Sequence, residues 1–329
     1  MRGNPQAPQV RFSPQSSTCG VETLADPPIE RRQQLARRQA PAAGALQFVQ
    51  FECAGATGHG HGVVSDRQHL AGRSGSVDGA RTLGDVFAAA GRRLDVRLKI
   101  DSGLHRVGVL PEQALGVARA IAELPGLRLT GVFTHAGHAY GETRPEGVAA
   151  VAQHEGKTVA AVAEALRREG LEIEEVSVGS TPTARAAMTV KGVTECRPGN
   201  YVYCDASQVS LGTCALEDCA MTVVATVVSA PAPDRAVLDA GSKTLSTDPL
   251  RPRGEGHGWV IGRKARLSKL SEEHGVLAVE PGERFRVGER VRVLPNHACV
   301  VSNLHDRVLA VRGETVEAEW RVAARGRVE

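Results

Sequence analysis

From about residue 80 the chain alternates segments that read as strands with segments that read as helices, and from about residue 215 the helices stop. "LDVRLKID" (94–101), "LRLTGVFTHAG" (127–137) and "IEEVSVGS" (173–180) are short apolar runs bounded by turn residues. Before and between them, "GARTLGDVFAAAG", "PEQALGVARAIAELPG" and "GKTVAAVAEALRREG" have helical spacing; "TPTARAAM" begins another helix. Pro111 sits in a first turn, Leu115, Ala118, Ile121 and Leu124 share one face, and Gly170 ends the third helix. Strands alternating with such helices imply βα units and a parallel sheet. After residue 215 come "AMTVVATVVSA", "RAVLDAG", "GWVIG", "GVLAVE", "RVRVLPNHACVV" and "DRVLAVRG", short strands at turn-separated intervals. These predict an all-β barrel or sandwich. The expected fold class is α/β plus all-β.

A length of 329 residues suffices for two domains. A net charge of +3 at pH 7 argues against nucleic acid or a membrane surface as partner. No apolar run is long enough for a transmembrane helix, and "MRGNPQAPQVRF" is not a signal peptide. Cys 7 is an odd set without a Cys-x-x-Cys pair, which leads us to expect a reduced, cytoplasmic protein. Residues 1–78 lack sustained periodicity; Gln and Arg crowd them, and only "ALQFVQFECA" (45–54) resembles a strand. The "GHGHG" at 58–62 reads as low complexity. The expected organisation is an atypical segment at 1–78, a cofactor-binding α/β part at 79–214 and a β domain at 215–329.

Five constellations carry chemistry. In "VSVGSTPTARAA", a strand delivers Gly179, Ser180, Thr181 and Thr183 to a helix start, where free N–H groups and hydroxyls suit a phosphate; ordinary N-capping is the alternative. "CRPGNYVYCD" presents Arg197 and the N–H groups of Gly199 and Asn200 at a strand end, either the other half of a phosphate site or a plain Pro-Gly turn. In "KIDSGLHRVGV", Arg106 points back over the strand ends, toward a cofactor ring or toward Asp101. "FTHAGHAYG" sets His135, His138 and Tyr140 at a strand end, as acid/base groups, a ring clamp or structural residues. In "VLPNHACVV", read as a strand, His297 and Cys299 share a face, and imidazole with thiolate suits zinc; a buried cysteine beside a polar histidine is the alternative. His257 and His274 have no assignable partner.

Taken in order, "KIDSGLHRVG", "HAGHAYG", "VSVGSTPTA", "RPGNYVYCD", "DAGSKTLS", "GHGWVIG", "LSEEHG" and "PNHACVVSNLHD" resemble the D-threonine aldolase and D-serine dehydratase-like enzymes, fold-type III pyridoxal phosphate proteins related to alanine racemase. The resemblance covers about residues 80–329. It implies a (β/α)8 TIM-type barrel, incomplete at its N-terminus here, followed by a metal-carrying β domain. It implies that Thr183, Gly199 and Asn200 hold the phosphate of pyridoxal 5'-phosphate with Tyr140 nearby. It also places Arg106 at the cofactor ring and Tyr201 at the pocket, and gives His297 and Cys299 a divalent metal, zinc where the pair is His-x-Cys. The implied activity is that of a lyase on D-β-hydroxy amino acids, by D-serine dehydration or D-threonine retro-aldol cleavage, in a homodimer.

The sequence departs from the family in one respect. The family's Schiff-base lysine lies on the first barrel strand, roughly a hundred residues before the Asp-x-Gly-x-x-Arg motif, and here no lysine precedes Lys99. Lys99 lies on a different strand, where alanine racemases carry a supporting lysine. The chain is therefore expected to be impaired. Two alternatives stand beside that expectation: a non-catalytic or frameshifted remnant of the family, and an alanine racemase-like enzyme.

Overall fold

The computed structural model describes residues 9–12, 77–252, 254–313 and 315–326. The described residues divide into two compact units. The first is α/β. Helix α1 (Val77–Ala89) leads into β2 (Leu94–Lys99). Then come α2 (Ala114–Ala122), β3 (Leu127–Phe133), α3 (Pro145–Arg168), β4 (Glu175–Val178), the short α4 (Ala184–Ala187) and β5 (Glu195–Cys196). The four strands form one parallel sheet in sequential order. That is the βα repeat the alternation predicts, and it amounts to part of a TIM-type barrel among the described residues.

Strand periodicity sorts the side chains. Val96, Leu98 and Ile100 enter a core with Ala118 and Ile121 of α2 and with Val159 and Leu166 of α3. Arg97 and Lys99 take the opposite face. The helix-to-sheet approach is close at Gly126, where a Cβ would lie 1.9 Å from the Gly84 carbonyl of α1. Gly170 adopts φ +83 just past α3, the left-handed ending expected from its place in the sequence.

The second unit is built on a nine-stranded sheet. Its strands are β6 (Met221–Ala232), β7 (Arg235–Leu238), β8 (Gly258–Val260), β9 (Ala265–Leu270), β10 (Gly275–Val279), β11 (Arg290–Pro295), β12 (Arg307–Arg312) and β13 (Thr315–Arg321), with β1 (Gln9–Phe12). The order β11-β8-β9-β10-β7-β6 closes through a β11–β6 pairing into a six-strand barrel. Met221, Val223, Leu238, Leu267, Leu277 and Val293 fill it, each fully buried. Short helices α5 (Ala206–Ser210), α6 (Ser242–Leu245) and α7 (Ala298–Leu304) interrupt the strands.

Three expectations need correction. Residues 298–304 are helical, not a continuation of a strand: the ladder ends at Pro295, paired with Gly258, and His297 is the N-cap of α7. The segment 1–78 does contribute a described strand, but β1 pairs parallel to β6 and antiparallel to β12, so it belongs to the β sheet. Strands β9 and β13 were not expected. The strand-like 45–54 and the "GHGHG" at 58–62 lie outside the described residues.

Candidate active site

In the α/β unit the strand ends carry a cationic set around Phe133. Lys99 is 4% exposed with Nζ 4.6 Å from the ring centroid. The Arg197 guanidinium lies 5.0 Å from the same centroid and donates to Ser177 Oγ (2.6 Å) and to the Thr134 carbonyl (2.7 Å). Beneath them, Arg97 donates two 2.9 Å hydrogen bonds to the Glu195 carboxylate and also pairs with Glu175. Burial, with Lys99, Arg106 and Arg197 nearby, pushes the His135 imidazole down to about 4, so it is neutral at pH 7. Arg106 is exposed and makes no ion pair with Asp101, which instead accepts from the Gly103 and His105 N–H groups and pairs with the His105 ring. His138 packs against Gly103, where a Cβ would come within 3.3 Å of its ring.

The 179–183 loop is held from behind by Glu155, a carboxylate that is 0% exposed on the buried face of α3. Oε1 accepts the N–H groups of Ala136 and Gly179, each at 3.1 Å, and Oε2 accepts the Thr183 hydroxyl at 2.9 Å. Burial raises the Glu155 carboxyl above its ordinary value against these three bonds. Glu155 therefore ties the loop after β3 to the loop after β4. The Thr183 hydroxyl is turned inward and the buried Ser180 hydroxyl bonds Thr183 Oγ1, so any anion contact by this loop would fall to its backbone and to Thr181.

In the β unit, His297 and Cys299 come together, though across a helix start and not along a strand. The His297 ring is hydrogen-bonded through Nδ1 to Asp248 Oδ2 at 2.5 Å, with the Cys299 side chain near it. These two partners push the imidazole up to about 9 against burial. Cys299 is exposed, and its sulfur accepts from Asn200 Nδ2 at 3.7 Å. A histidine whose second nitrogen is fixed by a carboxylate, near a thiol, is a donor set that suits a soft divalent cation. Among the described residues no third His, Cys, Asp or Glu joins them, and neither His257 nor His274 does so. The pair therefore fits an open site completed by water and substrate.

Tyr140 sits in the same unit; its phenol oxygen accepts from Gln208 Nε2 at 2.9 Å. Burial, with Asp205 and Cys299 adding, raises its pKa, which keeps the phenol protonated. Asn200 is buried, with Nδ2 donating to Asp205 Oδ2 at 2.6 Å and Oδ1 left without a partner. Gly199 and Tyr201 are exposed, the tyrosine 61% so. Glu155, Asp205, Asp248 and Gln208 escaped sequence reasoning. A charged residue on the apolar face of α3 would have pointed to Glu155, and an Asp preceding "ASQ" to a helix cap at Asp205.

Comparison with known proteins agrees with both units. The alanine racemase, N-terminal domain family matches residues 74–207, and the serine dehydratase domain family matches residues 220–311. The chain is 39% identical over 244 residues to the D-threo-3-hydroxyaspartate dehydratase of Delftia sp. (strain HT23), covering 68% of this chain and 64% of that protein. It is 32% identical over 259 residues to an Arthrobacter D-threonine aldolase, covering 76% of this chain and 66% of the aldolase. The chain thus spans a little under two thirds of the length of these two relatives. The solved Delftia dehydratase superposes with a TM-score of 0.69 at 36% identity, over 75% of this chain and 70% of that one. Two folds of this kind on one chain define a fold-type III pyridoxal phosphate protein with a β domain. The chain belongs to the D-threonine aldolase and D-serine dehydratase-like family.

Proposed function

We propose that the chain carries the site of a pyridoxal phosphate- and metal-dependent lyase of D-β-hydroxy amino acids, impaired by the lack of the family's Schiff-base lysine. The single observation that carries the metal half is the His297–Cys299 pair backed by Asp248. His297 and Cys299 would hold the cation, which would act as a Lewis acid toward a β-hydroxyl. A structure of the Delftia dehydratase in which a cysteine is replaced by alanine is described as the metal-free form, which supports a thiol in this role. For the cofactor, the donor set of the α/β unit suits an anionic aromatic ring. Arg106, Arg197 and Lys99 supply positive charge, and the 179–183 loop supplies N–H groups. Gly199 and Asn200 offer backbone N–H groups to the same kind of anion. Bound pyridoxal phosphate supplies an electron sink at the substrate α carbon. His135, kept neutral, and Tyr140, kept protonated, are the groups able to accept and to donate a proton.

The impairment rests on where the lysines lie. Lys99 is the buried one, held against Phe133; Lys243 is exposed and pairs with Glu272 and Glu273. Lys157, Lys191, Lys264 and Lys269 lie on α3, after α4 and in the β barrel. The test is to assay the purified chain with pyridoxal phosphate and zinc or manganese against D-serine, D-threonine and D-threo-3-hydroxyaspartate. Release of ammonia marks dehydration and release of an aldehyde marks cleavage. Binding of metal and cofactor without turnover is the expected result. Metal-dependent turnover would restore the chain to working lyases; failure to bind either ligand would favour the remnant.

A further inference from the structure

Asp205 is 1% exposed, and among the described residues it has no cationic partner. Its carboxylate is filled by amide donors instead. Oδ1 accepts the Gln208 N–H at 3.0 Å, capping α5. Oδ2 accepts Asn200 Nδ2 at 2.6 Å and the Ala298 N–H at 2.9 Å. Ala298 is the residue between His297 and Cys299. Its N–H is the first of helix α7, a group that has no partner within its own helix. The same Asn200 amide reaches Cys299 Sγ at 3.7 Å. A buried carboxylate is costly to keep, and a helix cap needs only a hydroxyl or an amide. The two bonds beyond the cap go to the backbone between the metal ligands and to the amide touching one of them.

From this we infer that Asp205 is the positioning residue of the metal pair. It pins the Ala298 N–H, which fixes the turn carrying the His297 ring and the Cys299 thiol toward a single cation. It also orients the Asn200 amide so that an N–H faces the sulfur. Asp248 aims the imidazole and Asp205 aims the backbone and the thiol. The inference rests on the reading that His297 and Cys299 bind a divalent cation.

The experiment uses the full chain with Zn2+, measured by competition with a chromophoric chelator, and with Co2+, whose sulfur-to-metal charge-transfer absorption reports the Cys299 ligand. Two variants keep the α5 cap. Asp205→Ser caps with a hydroxyl too short to reach Ala298, and Asp205→Asn caps but turns an NH2 toward donors. Circular dichroism first establishes that each is folded. Both are expected to lose about 10- to 100-fold in Zn2+ affinity and to shift or weaken the Co2+ band, an effect that a purely structural role would not produce in a folded variant. Should either folded variant bind Zn2+ like the parent with an unchanged Co2+ spectrum, while Cys299→Ser loses both signals, the inference falls and the metal reading stands. If the parent binds neither ion, both fall.

Discussion

At the scale of single residues, the buried groups make distinct predictions. His135 has a folded pKa of about 4, below its ordinary 6.5. Between those values the unfolded chain binds more protons than the folded one, so stability is lost as pH falls through that window and is regained toward neutrality. The linkage amounts to roughly 3 kcal/mol at most. Urea midpoints measured from pH 4 to pH 7 should show this slope in the parent and a shallower one in His135→Gln. Glu155 tests acceptors against charge. Glu155→Ala leaves the Gly179 N–H buried and unpaired, while the Ala136 N–H keeps its bond to the Gly179 carbonyl, an expected cost of about 1–3 kcal/mol. Glu155→Gln keeps a carbonyl for both and offers its NH2 to the Thr183 oxygen, so it should stay within about 1 kcal/mol of the parent. If both variants unfold at the same denaturant concentration, the hydrogen-bond account of Glu155 is wrong. Replacing His297 or Cys299 by alanine should abolish tight zinc binding, as read by metal analysis after dialysis.

Elements were legible where periodicity was local. The helices of the α/β unit declared themselves by their apolar faces, and Gly170 by its position. Strand β9 was hidden because Leu267 is its one fully buried side chain, among arginine and lysine. Strand β13 is exposed along nearly its whole length, so it shows no alternation to read. The "HACVV" segment, which reads as a strand, is helical for another reason. Its β-branched residues favour a strand, but the ladder ends at Pro295, and the groups that fix the turn come from far away in sequence. The Asn296 amide donates to the Asp248 and Gly256 carbonyls, and Asp205 takes the Ala298 N–H. The His297–Cys299 pair is therefore legible by its residue types, and its geometry comes from the structure. At this scale the contact of α1 with the start of β3 is testable. Gly126→Ala would drive a methyl into the Gly84 carbonyl. Since the obstacle is backbone, a loss of about 1–3 kcal/mol or more is expected, measured as a lowered Tm.

For the molecule as a whole, the sequence announced two architectures and their order, and a resemblance supplied the chemistry that spacing alone left open. Borohydride treatment of the chain with pyridoxal phosphate, followed by peptide mapping, should recover no stoichiometrically modified lysine; a label on Lys99 or Lys243 would show that another lysine has taken the family's role. The closure of the β barrel has a consequence in time. Strand β6 is bonded to β7 along one edge and to β11 along the other, and its first residues also bond β1. Val223 to Thr226 pair with β11 and the residues from Val227 on pair with β7, so each neighbour covers its own stretch of β6. The β6 amides that donate across the closing β11–β6 seam are freed only when that seam parts and the ring opens. Their exchange should be among the slowest in the chain and should track global denaturation, whereas β13, bonded on one side to β12 alone, should exchange by fraying long before.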